Sequence, residues 1–174
     1  MIKKYLIFAV QHPGVLALVF LSLPVMADRS KAQIEETVVA AASSWAPTMV
    51  WDANSLLDVD INCDGKTDYV VMGQNEERVA VALLIGPISK SSYVHYKDFV
   101  VGSGAEDVIC KLPITLELDT LDYDNEDEDI KELPGFRTST RCLTFALTDD
   151  GCGTLHFYWN HGAKSLSSWR RQSQ

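Results

Sequence analysis

The nine residues Asp60-Ile61-Asn62-Cys63-Asp64-Gly65-Lys66-Thr67-Asp68 constrain this chain more than any other stretch. Oxygen-bearing side chains stand at positions 1, 3, 5 and 9 of the run, and glycine stands at position 6. Alternate residues of a tight loop point to one side, so Asp60, Asn62, Asp64 and Asp68 are spaced to surround a hard cation. Gly65 permits the sharp turn. Tyr69-Val70-Val71-Met72 follows directly and has the composition of a strand. An EF-hand would need a bidentate Glu at position 12 and a helix after it, but position 12 here is Val71. The loop predicts a divalent cation. Calcium is favoured over magnesium, which takes few protein ligands and keeps several waters. The competing reading is a metal-free turn whose carboxylates cap backbone amides. Three Asp would then repel one another with no cation between them.

The N-terminus has the make-up of an export signal. Lys3 and Lys4 form a basic start, Val15 to Leu23 is apolar but for Ser22, and Val25-Met26-Ala27 offers a small-x-small cleavage site before Asp28. The apolar run is too short to span a bilayer comfortably. No Cys near the cleavage site offers a lipid anchor. A retained N-terminal anchor is the competing reading. Residues 1–27 are expected to be a signal peptide, and 28–174 one domain in the periplasm or outside the cell. The 174 residues less these 27 leave 147, enough for one sizeable core. Losing Lys3 and Lys4 reduces the 15 basic residues to 13 against 24 acidic ones, a net charge of −11. So acidic a chain matches nucleic acid and anionic lipid poorly, and a basic envelope protein or divalent cations better. No stable membrane insertion is expected after cleavage.

One helix and then only strands are expected downstream. Ser30 and Gln33 match a capping box, Ile34, Val38, Ala41, Ala42 and Trp45 recur on one helical face, and Pro47 ends the run. This stripe reads as core packing. Tyr69–Met72, Val79–Ile85, Val94–Val101 and Val108–Leu118 read as strands. The continuous apolar run Val79–Ile85 predicts a strand covered on both faces, and Pro113 makes the strand that holds it an edge or bulged one. Asp119 to Glu132 carries eight acidic residues without a core-forming period and reads as a solvated loop. A second cation site or a patch for a basic partner competes with that reading. Leu143–Leu147 and Thr154–Trp159 flank Asp150-Gly151, a hairpin signal because a type I′ turn needs φ > 0 at both central positions. Asn160–Ala163 turns the chain into a last strand, Ser165–Arg170. The expected fold class is α+β: one N-terminal helix packed on a mostly antiparallel, meander-type β-sheet, stapled by disulfides.

Four cysteines, Cys63, Cys110, Cys142 and Cys152, predict two disulfides in an exported chain. None is at C-x-x-C spacing, which disfavours zinc. With Asp150-Gly151 at the turn, Cys142 faces Trp159. Cys142 then lies about 20 Å from Cys152 along the ladder, beyond the ~7 Å reach of a disulfide. A hairpin centred near Glu126 places Cys110 opposite Cys142 and leaves Cys63 for Cys152. The expected bridges are therefore Cys110–Cys142 and Cys63–Cys152.

The pattern D-x-N-x-D-G-x-x-D running into a strand resembles the calcium loops of FG-GAP and VCBS-type repeats, the integrin-α propeller kind. The resemblance spans Asp58 to Met72. It implies side-chain oxygens from Asp60, Asn62, Asp64 and Asp68 and a backbone carbonyl from Lys66. A propeller needs several blades and only one such loop is present, so no propeller is implied. The whole chain resembles small bacterial periplasmic proteins with one such loop and an aromatic C-terminal hairpin, here Leu155 to His161. A similar loop-plus-sheet arrangement occurs in some periplasmic inhibitors of lysozyme-like enzymes.

Little in the chain points to catalysis. No G-x-S-x-G is present, and no Cys is left as a nucleophile if all four are bridged. His156 and His161 differ by five positions and would face opposite sides of a strand, so His156 reads as an ordinary sheet residue. The favoured function is a non-enzymatic, calcium-binding, disulfide-stabilised binding domain of the bacterial envelope. The alternatives are an inhibitor or immunity protein against a basic cell-wall hydrolase and, behind it, a hydrolase acting on an envelope polymer.

Overall fold

The computed structural model describes residues 24–89, 91–102, 109–123 and 128–170. Helix α1 (Pro24–Trp45) precedes β1 (Val50–Val59), β2 (Asp68–Gln74), β3 (Arg78–Leu84) and β4 (Val94–Val100), which form one antiparallel sheet in chain order. Then β5 (Thr115–Leu121), a short α2 (Glu128–Lys131), β6 (Ser139–Asp149), β7 (Gly153–Asn160) and β8 (Ser165–Trp169) follow. Their four strands form a second antiparallel meander. The expected single sheet is thus two.

The reason lies in β3. Successive side chains of a strand face opposite sides, and almost every position of β3 is buried. Val79, Val81 and Leu83 join Phe99, Phe145 and Phe157 in a core between the sheets. Ala80, Ala82 and Leu84 face Val38, Ala41 and Ala42 of α1. One helix covers one face only, so the other needs a second sheet. Between the sheets Phe145 stacks on Phe157 at 4.6 Å, and Phe99 meets Phe157 edge-on at 5.9 Å. A third cluster covers the outer face of the second sheet, where Ile130 of α2 packs with Leu121, Tyr158 and Trp169.

Several elements depart from the sequence reading. The helix begins at Pro24, so Ser30 lies within it rather than at its cap. Residues 1–23, most of the expected signal peptide, lie outside the described residues. Trp45 is 51% exposed and sets its ring edge-on to Tyr93 instead of entering the core. Strand β1 escaped the pattern because its register breaks between Asp52 and Leu57. There Asp52 accepts the Asn54 amide and Ser55 Oγ accepts the Met72 amide, a polar bulge inside a strand. Strand β5 starts only after Pro113, at Thr115, and it is an edge strand as expected. Within the acidic segment, residues 124–127 lie outside the described residues. No helix among the described residues is long and apolar enough to cross a membrane.

The disulfides join Cys63 to Cys142 and Cys110 to Cys152, with Cα–Cα separations of 5.7 and 5.5 Å. This corrects the expected Cys110–Cys142 and Cys63–Cys152, while the excluded Cys142–Cys152 pairing stays excluded. The cause is register. Thr115 faces Thr148 and Thr120 faces Leu143, so the β5–β6 connection is centred beyond Glu126. Cys110 is thereby carried past the end of β6, where its amide donates to Asp149 Oδ2. The β6–β7 turn is also one residue longer than a type I′ turn, since Asp149 faces Gly153 rather than Cys152. Gly153, at φ 78°, is the turn residue in the left-handed region. Gly151 serves another purpose: a Cβ there would meet Cys110 Cβ at 2.7 Å. Asp149 accepts the Gly151 and Cys152 amides on its other oxygen. Burial alone would raise its carboxyl, but these three amides and the Arg170 charge hold it below the ordinary carboxylate value.

Peptide mapping without reduction should recover Cys63 joined to Cys142 and Cys110 joined to Cys152. A fragment joining Cys63 to Cys152 would discard the β5–β6 register described above.

Candidate cation loop and its surroundings

Val59 ends β1 and faces Asp68, the first residue of β2, so the loop 60–67 closes a hairpin whose ends are fixed. Cys63 at φ 59° and Gly65 at φ 81° turn the backbone twice within three residues. Left-handed geometry is uncommon for a residue with a Cβ, and Cys63 is held there with its side chain bridged to β6. The turns aim successive amides at the loop's own side chains. Asp64 N donates to both Asp60 Oδ1 (3.0 Å) and Asn62 Oδ1 (2.9 Å). Gly65 N donates to Asp60 Oδ2, and Lys66 N to Asp64 Oδ1. Lys66 Nζ lies 3.5 Å from Asp64 Oδ2.

The structure therefore brings Asp60, Asn62 and Asp64 into one wound loop. Two of their oxygens converge on a single N–H. Lys66 is exposed, and its side chain points back to Asp64. Asp68 is different. It is fully buried, accepting the Ile61 amide on Oδ2 at 3.2 Å and the Gly86 amide on Oδ1 at 2.9 Å. It ties the start of the loop to the β3–β4 connection. Burial is the largest influence on its carboxyl and pushes it up; Asp64 and Asp60 push the same way, against the two amides, to about 6. Among the described residues no three His, Cys, Asp or Glu side chains converge closely enough to enclose a metal.

The donor chemistry nonetheless fits a hard cation. All the side-chain donors are oxygens, as calcium requires. A hydrogen bond from a backbone N–H uses one of the two lone pairs on an accepting side-chain oxygen. Asp60, Asn62, Asp64 and Asp68 are the residues that would hold the ion, with the Lys66 carbonyl implied by resemblance. Of these Asp68 alone is fully buried, and the charges of Asp64 and Asp60 act on it.

Two constellations were not visible in the sequence. His156 Nδ1 lies 2.7 Å from Asp119 Oδ2, which also accepts the Tyr123 hydroxyl at 2.8 Å. The His156 ring stacks on Trp169 at 4.7 Å. Burial would raise the Asp119 carboxyl, but bonds from His156, Tyr123 and the Thr120 amide outweigh it and hold the group low. His156 is a sheet residue, as expected, and its ring is also paired with Asp119. Its partner is 37 residues away, beyond any local signal. The second constellation is a groove beside the loop, lined by Asp60, Asn62, Asp64, Arg137, Arg141 and His161. The Cys63–Cys142 bridge, which the sequence reading paired otherwise, holds its two walls together.

Asp68→Ala should destabilise the protein by about 2–4 kcal/mol, because two buried amides lose their acceptor. With chelator present, the Asp68 carboxyl should titrate near 6 by carbon NMR. A carboxyl raised in the folded state favours folding below its unfolded value of 3.8 and loses that contribution as pH rises to about 6. The loss is about 3 kcal/mol. An Asp68 midpoint near 3.8 would mean that the carboxylate is not desolvated.

Comparison with known proteins finds that the chain matches no protein family, no curated protein and no solved structure.

Proposed function

We propose that this chain is an exported, calcium-binding, disulfide-stapled domain that works by binding and not by catalysis. The observation that carries the reading is the wound loop, in which oxygens of Asp60 and Asn62 converge on the Asp64 amide beside the Asp64 carboxylate. Burial is the main cause of the raised Asp68 carboxyl, and a divalent ion there would offset the repulsion from Asp64 and Asp60 that adds to it. Two disulfides agree with an oxidising compartment. The runner-up, an inhibitor that plugs a basic hydrolase cleft, takes its support from the acidic residues 119–132 and the net charge of −9. An envelope pull-down with and without chelator separates the two.

Calorimetric titration should give a calcium dissociation constant of about 10⁻⁴ to 10⁻³ M, the range of extracellular modules. Calcium at ten times that constant should stabilise the fold by roughly 1.4 kcal/mol. Asp64→Ala should lose both effects, and magnesium should reproduce neither. A wild-type melting curve that ignores calcium would end the proposal.

The Cys63–Cys142 bridge should hold the loop wound before metal arrives. In Cys63→Ser the loop must order itself on binding, weakening calcium affinity by on the order of 1 kcal/mol. By linkage, calcium should make that bridge harder to reduce at equilibrium and leave Cys110–Cys152 unaffected. Equal affinities for wild type and Cys63→Ser would show the two staples to be independent.

A further inference from the structure

In a chain with net charge −9, the groove beside the loop gathers two arginines. Arg137 precedes β6 and Arg141 is the third residue of that strand, both exposed. Among the described residues neither guanidinium has a hydrogen-bond or ion-pair partner. Carboxylates line the same groove, yet Asp60 and Asp64 are turned onto the amides of residues 64 to 66 and onto Lys66 Nζ. The guanidinium groups are thus left facing open space with their planar donor forks unused. Such forks match carboxylate and phosphate oxygens in paired hydrogen bonds. His161 lines the groove too. Burial and then the Arg137 charge lower its pKa, so the ring is a neutral hydrogen-bonding group there.

The charge balance of the groove makes it conditional. Asp60 and Asp64 oppose Arg137 and Arg141 in the lining, and Lys66 beside Asp64 adds one further positive charge. A divalent ion in the loop would add two more positive charges beside two free forks and turn a small surplus into a large one. The Cys63–Cys142 bridge fixes the arginine-bearing start of β6 against the loop, so the two halves cannot drift apart.

We propose that the groove between Arg137, Arg141 and the cation loop binds an oxyanion group, a carboxylate or a phosphate, and does so when calcium occupies the loop. This rests on the calcium reading and names the ligand class that the binding domain takes. The Arg137 and Arg141 forks hold the oxygens, Asn62 and His161 supply neutral partners, and the ion provides the charge that tips the groove.

The test uses the purified protein, titrated first with calcium and then with glycerol 3-phosphate and with glucuronate, in calcium and in chelator. Glycerol and glucose are the uncharged controls. At least one anion should bind with calcium present, and calcium should tighten it roughly tenfold or more. The Arg137→Gln/Arg141→Gln variant should lose anion binding without weakening calcium, since neither residue is a ligand of the ion. Which anion binds identifies the source of the oxyanion. Calcium binding without either anion overturns this inference and leaves the calcium reading standing. An absence of calcium binding overturns both. Anion binding of equal strength in chelator, binding that survives the double substitution, or equal binding of glucose or glycerol overturns the inference.

Discussion

Burial of β3 on both faces is the constraint from which the rest of the architecture follows. A strand with Val79, Val81 and Leu83 on one side and Ala80, Ala82 and Leu84 on the other has no face to give to water. Each buried apolar side chain contributes about 1.5–3 kcal/mol, and only if something covers it. The alanines let α1 lie close against the first sheet. The larger side chains demand a thicker cover, which Phe145 and Phe157 of the second sheet provide. A three-layer stack is the smallest arrangement that meets both demands.

Two interleaved disulfides then hold the layers in register. Cys63 sits in the β1–β2 hairpin of the first sheet and Cys142 on β6 of the second, 79 residues apart. Cys110 and Cys152 close a 42-residue loop that overlaps the first. In the chain-entropy account each alone would stabilise by about 4 kcal/mol, and overlapping loops give less than the sum. The first bridge also matters locally. It anchors the loop at Cys63, between the inward-pointing Asn62 and Asp64, so the staple and the candidate ligands occupy alternate positions and do not compete.

The loop illustrates how one motif divides its residues between the surface and the core. Asp60, Asn62 and Asp64 stay within the loop, at or near the surface, and converge on its amides. Asp68, spaced as a fourth ligand, is drawn into the core because it opens β2 opposite Val59. Its carboxylate becomes a clamp on Ile61 and Gly86. Spacing alone could not separate these surroundings, because it says which way a side chain points and not what lies there. No local pattern pairs Asp119 with His156 or sets Arg137 and Arg141 beside the loop, and only tertiary packing brings each group together.

The sequence by itself determined what depends on neighbours within a few residues. The two-faced burial of β3, the wound loop with glycine at position 6, the turn at Asn160, the edge character of β5 and the presence of bridged cysteines all follow from short-range spacing and composition. Tertiary structure decided what depends on register across long connections. It split the expected sheet in two, exchanged the partners of all four cysteines, hid Asp68, exposed Trp45 and placed the arginines beside the loop. The physical reason is that a strand pattern specifies a face but not a partner. A shift of a few residues in the 17-residue connection between Leu121 and Ser139 changes every long-range pairing while leaving each local signal intact.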